Sequence, residues 1–322
     1  MLKHIIFLCH NFPLMSARTA ALPAPLARVL RHFRARRPLR AGSLLVTIFG
    51  DALAPRGGAV TLGSLIGLAA PFAVTERLVR TSVARLAKDG WLVAHRAGRQ
   101  SEYRLTASGR ERFATATGRI YAAGPGRWDG TWTLLLLSEP GARRTRLRAE
   151  LLWRGFGELG GGLFAHPSAA GEDVRPALAT LAEARAAVLF SARSDGPDSD
   201  RRLASRGWDL AELTRRYRRF VADFAPLAPV VRSGLDPAMA FLVRTLLIHE
   251  YRRIHLQDPL LPPQLLPGDW VGTSAYELCR ALYAGVYAGA ESHVGGAARS
   301  LSGALPEADA ASRARFGGIP GR

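Results

Sequence analysis

Residues 75–105, TERLVRTSVARLAKDGWLVAHRAGRQSEYRL, place four cations, Arg77, Arg80, Arg85 and Lys88, on one short segment. Thr81 stands among them, and Arg96, Arg99 and Gln100 gather around a glycine turn further on. Arginine offers a planar fork of donors that matches a phosphate or the edge of a guanine, and threonine can donate to a base or a phosphate oxygen. The chemistry of such a set is recognition of something negative rather than bond making. A second cluster, LIHEYRRIHLQD, holds His249, Glu250, Arg252, Arg253 and His255 within seven residues. A zinc HExxH pattern would need histidine at 253, where the chain has Arg253. A nucleophilic site would need a base beside a hydroxyl or thiol, and Cys279 has no such neighbour in the sequence. Two readings remain for this cluster. Arg252 and Arg253 hold an anion, or His249 and Glu250 are buried ties between helices. A third set, Asp129 and Glu139, flanks an apolar strand. Divalent-metal chemistry would need carboxylates that converge, and the WDG at 128–130 reads equally as a turn.

The bulk composition narrows the partner. The chain has 322 residues, 44 Lys plus Arg against 26 Asp plus Glu, and a net charge of +18. That excess points to nucleic acid or an acidic membrane surface, although heavy Arg and Ala use also reflects a GC-rich genome. The distribution says more than the total: Arg28 to Arg119 carries 17 basic residues against five acidic ones. Hydrophobic residues make up 48%, which excludes a wholly disordered chain. Two cysteines, Cys9 and Cys279, exclude a disulfide framework by count and point to a reducing, cytoplasmic setting. No apolar run approaches the ~18 residues of a membrane span. The opening MLKHIIFLCHNFPLM is interrupted by His10 and Asn11 and lacks a good cleavage context, so a start at Met15 fits as well as a signal peptide.

The elements that must position the cations can be read from spacing. SLLVTIFGDAL reads as a buried helix ending near Gly50, and LGSLIGLAAPF as a second. Thr75 is an N-cap with Glu76 in the first turn, and Gly90 stops the third helix after Lys88. At ~100° per residue, Leu78, Val79, Val83 and Leu86 share one arc. Arg77, Arg80, Thr81, Ala84 and Lys88 fall opposite, with Arg85 on the flank. WLVAHR and SEYRL read as strands around AGRQ, and TASGRERFATATGRI resumes a helix capped by Thr106 or Ser108. Three helices, a hairpin and a helix are the order of a winged helix-turn-helix, whose third helix enters the major groove. A lipid-surface helix would need an exposed apolar face, and here that face is required for packing.

Around this block the chain divides further. Residues 1–40 read as a basic, partly disordered arm, 41–120 as the winged helix and 121–130 as a linker. Residues 131–198 follow a βαββαβ order, the ferredoxin-like plait, with DVRPALATLAEARA as its second helix. Residues 199–295 read as wholly helical, and 296–322 as a disordered tail. The fold class is therefore α+β and multidomain.

Four segments carry a family resemblance: SLLVTIFGDALAPRGG (43–58), TERLVRTSVARLAKDGWL (75–92), WDGTWTLLLL (128–137) and LLIHEYRRIHLQDPLLPPQLLPGDWVG (246–272). In this order they resemble the PaaX-like family, the transcriptional repressors of phenylacetic acid degradation. The resemblance implies an N-terminal winged helix, a middle Cas2-like domain and a helical C-terminal domain. It also implies a homodimer on a double-stranded DNA operator, released by an aryl-CoA thioester such as phenylacetyl-CoA. The DNA-reading residues are then Arg77, Arg80, Thr81, Arg85 and Lys88 on the helix and Arg96, Arg99 and Gln100 on the wing. For the effector the candidates are Trp208, Tyr217, Tyr251 and Trp270 as apolar walls and His249, Arg252 and Arg253 as polar contacts. No catalytic residue, metal or cofactor is expected. The alternative is an enzyme, either a Cas2-like metal-dependent nuclease or a CoA-thioester hydrolase.

Overall fold

The computed structural model describes residues 21–36, 41–124, 126–137, 142–169 and 187–319. Helix α1 (Ala24–Arg34) buries Leu26, Val29, Leu30 and Phe33, an apolar stripe at three- and four-residue spacing. Its Arg28 donates to the Ala222 carbonyl at 2.7 Å. The expectation of a disordered basic arm is corrected for this stretch: the arginines lie on the outer face and a regular apolar seam lies beneath them. Residues 1–20 of that arm lie outside the described residues.

Helix α2 (Ala41–Ile48) does not stop at Gly50. It runs on through a π turn at Phe49–Leu53 and a 3-10 turn at Ala54–Arg56. The wider turn brings Asp51 inward, where it is 4% exposed. Strand β1 (Ala59–Thr61) follows, then α3 (Leu62–Ala69), capped by Thr61, whose side chain accepts from the Ser64 N–H. Helix α4 (Glu76–Lys88) begins as its cap requires, with the Thr75 hydroxyl accepting from the Leu78 N–H. Strands β2 (Leu92–Ala97) and β3 (Gln100–Leu105) pair antiparallel around a two-residue turn in which Gly98 sits at φ +56°. The sequence reading passed over β1, which pairs with β3 to complete a sheet of order β1-β3-β2. Helix α5 (Ala107–Ile120) is capped by Thr106, and Tyr121 ends it.

The central part orders β4 (Trp128–Leu137), α6 (Ala142–Trp153), β5 (Gly157–Gly160), β6 (Leu163–Ala169) and β7 (Ala187–Ala192) into an antiparallel sheet β5-β6-β4-β7. That strand order belongs to the plait. The helix expected over 173–186 lies outside the described residues. Leu135, Leu137, Leu147, Leu151, Phe156 and Phe164 form its own small core.

The C-terminal part contains α7 (Pro197–Gly207), α8 (Leu210–Phe224), a short helical turn, α9 (Pro237–His255) and α10 (Gly272–Ala297). Every residue of α9 from Ala240 to His249 is buried, so this helix is enclosed on all sides. The segment after α10 is not a disordered tail. It forms a small hairpin and one helical turn, and buries Leu305, Ser312, Arg315 and Phe316. Its Leu301 N–H donates to Glu102 Oε2 at 2.5 Å and its Asp309 N–H to the Pro55 carbonyl at 2.9 Å, so it straps the N-terminal part.

Candidate nucleic-acid interface

Helix α4 is divided as its periodicity demands. Val79 and Val83 are fully buried and Leu78 and Leu86 half-buried against α2 and α3. Arg77, Arg80, Thr81, Ala84, Arg85 and Lys88 are all exposed. Two of the cations meet acids at the surface. Arg80 reaches Glu76 at 2.7 Å with both side chains more than half exposed. Arg85 lies 3.9 Å from Asp89 and is itself 84% exposed. Exposed pairs of this kind contribute about 0–1 kcal/mol and exchange readily for a phosphate. The Thr81 hydroxyl donates to the Arg77 carbonyl at 2.9 Å, leaving its oxygen lone pairs outward.

The hairpin projects. After Leu92 every residue of β2 is exposed, so neither face of that strand is core. Arg96, Arg99 and Gln100 lie at its free end, all exposed. His95 on β2 and Arg104 on β3 share this surface and were passed over in the sequence. Arg104 pairs with the buried carboxylate of Glu102. The signal that could have found them is strand alternation, since His95 pairs with Glu102 and Arg104 with Val93, which sets both on one face of the hairpin.

The residues proposed for the effector do not gather. His249 is 2% exposed, with Nδ1 3.0 Å from Thr47 Oγ1 and its ring edge-on to Phe33. Arg252 donates to Thr47 Oγ1 at 2.8 Å and to the Ser43 carbonyl at 2.6 Å, and burial lowers its pKa to about 10. These two side chains tie α9 to α2. Arg253 pairs with Glu250, which Arg36 also grips with two hydrogen bonds. Tyr251 is wholly buried, stacked on His255. Trp208 donates to the Gly155 carbonyl at 3.2 Å and stacks near Trp132, joining the central and helical parts. Tyr217 and Trp270 line one cavity, of about 230 Å³, and their rings meet edge-on at 5.6 Å.

Of the two carboxylates considered for metal chemistry, Asp129 serves a turn. Asp129 accepts the Thr131 N–H at 2.8 Å, as a turn residue does, and Glu139 lies outside the described residues. Among the described residues no three His, Cys, Asp or Glu side chains are grouped to hold a metal ion. Cys279 is buried, and burial pushes its thiol well above the ordinary range.

A projecting cationic helix and hairpin, a plait-ordered sheet and an enclosed helical bundle define a modular binding protein. The chain belongs to the PaaX-like family. Family models match residues 40–109 (PaaX-like protein), 125–204 (PaaX protein central Cas2-like domain) and 208–296 (PaaX-like protein C-terminal domain). A curated relative, the transcriptional repressor PaaX of Escherichia coli (strain K12), is 38% identical over 290 residues, covering 88% of this chain and 92% of that one. Among solved structures, the uncharacterized protein Rv0674 from Mycobacterium tuberculosis is 27% identical and covers 70% of this chain and 90% of its own, with a TM-score of 0.47.

Proposed function

We propose that the protein is a transcriptional repressor whose residues 41–120 act as a winged helix on double-stranded DNA. One observation carries this reading: Leu78, Val79, Val83 and Leu86 of α4 pack inward, and its exposed face carries four cations, Arg77, Arg80, Arg85 and Lys88, against one acid, Glu76. Arg77, Arg80, Thr81, Arg85 and Lys88 then face the major groove, while Arg96, Arg99 and Gln100 reach the flanking backbone or minor groove. The name of the curated relative supports the assignment. The Cas2-like label of the central domain describes a fold, and its exposed Asp129 serves a turn, so neither favours a nuclease over a repressor.

The central domain is the proposed dimer contact. Its edge strand β7 leaves Val188, Leu189 and Phe190 exposed by 48, 37 and 48%. An apolar sheet edge of this kind is a template for pairing with a second copy. A two-fold dimer would set its α4 helices on half-sites separated by ~10 base pairs or a multiple. The proposed effector is an aryl-CoA thioester, phenylacetyl-CoA in the first instance. It acts by favouring a dimer geometry that no longer fits one face of DNA. The proposed setting is the cytoplasm; no helix among the described residues is long and apolar enough to cross a membrane.

The test is fluorescence anisotropy with the promoter region upstream of the protein's own gene. Binding should weaken with salt at a log-log slope of about −0.9 per phosphate contact. Arg80→Ala should weaken operator binding by ~5–150-fold, the equivalent of about 1–3 kcal/mol. The unfolding midpoint should not move, because Arg80 is exposed. An unchanged affinity for Arg80→Ala removes that residue from the interface, and salt-insensitive binding defeats the DNA reading.

A further inference from the structure

Two cavities meet where all three parts of the chain converge. The outer one, about 610 Å³, lies between the end of α5 with its connector, the end of α6 with β6, and the loop at Pro259–Pro262. The inner one, about 230 Å³, lies against α8, the end of α9 and the start of α10. Gly124 and Leu260 belong to the walls of both, so they form one stepped cleft. The outer volume alone is within the ~300–1,000 Å³ range of small-molecule sites.

The two chambers differ in chemistry. Aromatic rings of Tyr217, Trp270 and Tyr276 wall the inner chamber, with Leu261 and Leu266. Its polar groups satisfy one another. The Tyr217 hydroxyl donates to Asp258 Oδ2 at 2.7 Å, and Asp258 Oδ1 accepts the Leu260 N–H at 2.8 Å. His255 Nε2–H donates to the Arg119 carbonyl at 3.1 Å, which leaves Nδ1 as acceptor for the Tyr251 hydroxyl at 3.1 Å. That chamber suits a flat apolar group, and its carboxylate, Asp258, is already engaged by Tyr217 and Leu260. In the outer chamber Arg119 stands 5.2 Å from the centroid of the half-exposed Trp153 ring. Its hydrogen bonds go to the carbonyls of Trp153 and Asp258, and the nearby Asp258 carboxylate also attracts it. Arg154 lines the same chamber, paired at 3.1 Å with Glu150.

We infer that this cleft is the effector site, with an aromatic head in the inner chamber and an anionic tail along Arg119 and Arg154. The inference rests on the effector reading above and gives it a place. It also supplies a route for the signal. Arg119 sits on α5, the helix that follows the wing; Trp153 ends α6 of the central domain; Asp258 follows α9 of the helical part. A ligand in the cleft touches all three at once, so its binding energy depends on how they are set against one another.

The experiment is calorimetric titration of the full chain with phenylacetyl-CoA, CoA and phenylacetate. The diagnostic variant is Gly124→Phe. Gly124 lines both chambers and a Cβ there meets nothing within 4 Å, so a ring at this position can crowd the shared opening without straining the core. The control is Ala211→Trp, which crowds a separate groove of about 660 Å³ lined by Arg201, Arg202, Arg215 and Arg218. Phenylacetyl-CoA should bind the wild type more tightly than either fragment does. Gly124→Phe should raise its Kd about tenfold or more and abolish release from the operator, with ligand-free operator binding and unfolding midpoint unchanged. Ala211→Trp should bind as the wild type does. Normal binding by Gly124→Phe, or loss confined to Ala211→Trp, overturns the site while leaving the effector reading intact. If the wild type binds none of the three compounds, the effector reading fails and the site falls with it.

Discussion

Asp51→Ala lowers the unfolding free energy by ~3–5 kcal/mol, seen as a fall in the urea midpoint. Asp51 is 4% exposed and anchors a row of alternating charges. Its Oδ2 accepts Arg244 Nε–H at 2.7 Å, and its Oδ1 accepts Tyr121 at 2.7 Å, Tyr283 at 3.0 Å and Arg315 at 3.0 Å. Arg244 continues to Glu291 at 2.5 Å, and Glu291 to Arg56 at 2.6 Å. Removing the carboxylate leaves Arg244 and Arg315 buried, at 1% and 6% exposure; Arg244 keeps Glu291 as an acid partner, while Arg315 loses the carboxylate it pairs with among the described residues. Breaking such a set from one side costs more than the set contributes as a whole, because the remaining charges stay dehydrated. Burial alone would raise the Asp51 carboxyl, but Arg244 and Arg315 outweigh it and hold the group below the ordinary aspartate range. A depressed folded pKa means the contribution is fully present above the ordinary value of ~3.9 and fades as pH falls through the folded one. The wild-type advantage over Asp51→Ala should therefore be full at pH 7 and shrink only in strong acid. A cost under about 1 kcal/mol at pH 7 would mean the row is no more than a surface-like set of pairs. The row also has a functional meaning, since it binds the π turn of the N-terminal part to α9, α10 and the C-terminal strap. Loosening it should leave α4 intact but free to reorient against the bundle.

What was legible in the sequence follows from distance along the chain. Helix α4, its Thr75 cap and its two faces could be read because every term involved lies within four residues. The plait order could be read because each strand shows its own period. Helix α1 was hidden because arginines dominate its composition while Leu26, Val29, Leu30 and Phe33 alone carry the seam. The strap was hidden because small polar residues read as disorder, whereas its order comes from Arg315 and Phe316 finding partners far back in the chain. Asp51 and Arg244 are 193 positions apart, and nothing local marks either as buried. The same blindness misled the effector list. Arg252 and His249 look like an anion site on a solvated helix, but α9 is enclosed, and Ser43 and Thr47 of α2 already answer them. Tyr217 and Trp270 line one cavity, which no sequence pattern records.

Acid should weaken the fold between pH 6.5 and about 4, well before its carboxylates are neutralised. Three histidines sit in the fold without their charge, His249 and His255 buried and His166 half-buried. Burial pushes His166 and His255 down to about 4, and His249 well below its ordinary value, with Arg252, Arg253 and Arg36 adding to the effect on His249. In the unfolded chain each takes a proton near 6.5. As pH falls below that value the unfolded state binds more protons than the folded one, so stability drops until the folded groups titrate in turn. With three such groups the slope approaches ~4 kcal/mol per pH unit near pH 5. Asp258 works in the opposite direction. Burial raises its carboxyl more than Tyr217, Leu260 and Arg119 lower it, so the folded state gains a proton there first and offsets part of the loss. Urea midpoints at pH 7.5, 6 and 5 measure the slope directly. His255→Gln should remove about one proton's share, ~1.4 kcal/mol per pH unit, whatever it does to stability at pH 7.5. That distinction matters because His255 also holds the Arg119 carbonyl, so the intercept reports packing and the slope reports protonation. A flat profile from pH 7.5 to 5 would require these imidazoles to be charged in the fold, and the neutral hydrogen-bond assignments around Tyr251 and Arg119 would have to be reversed.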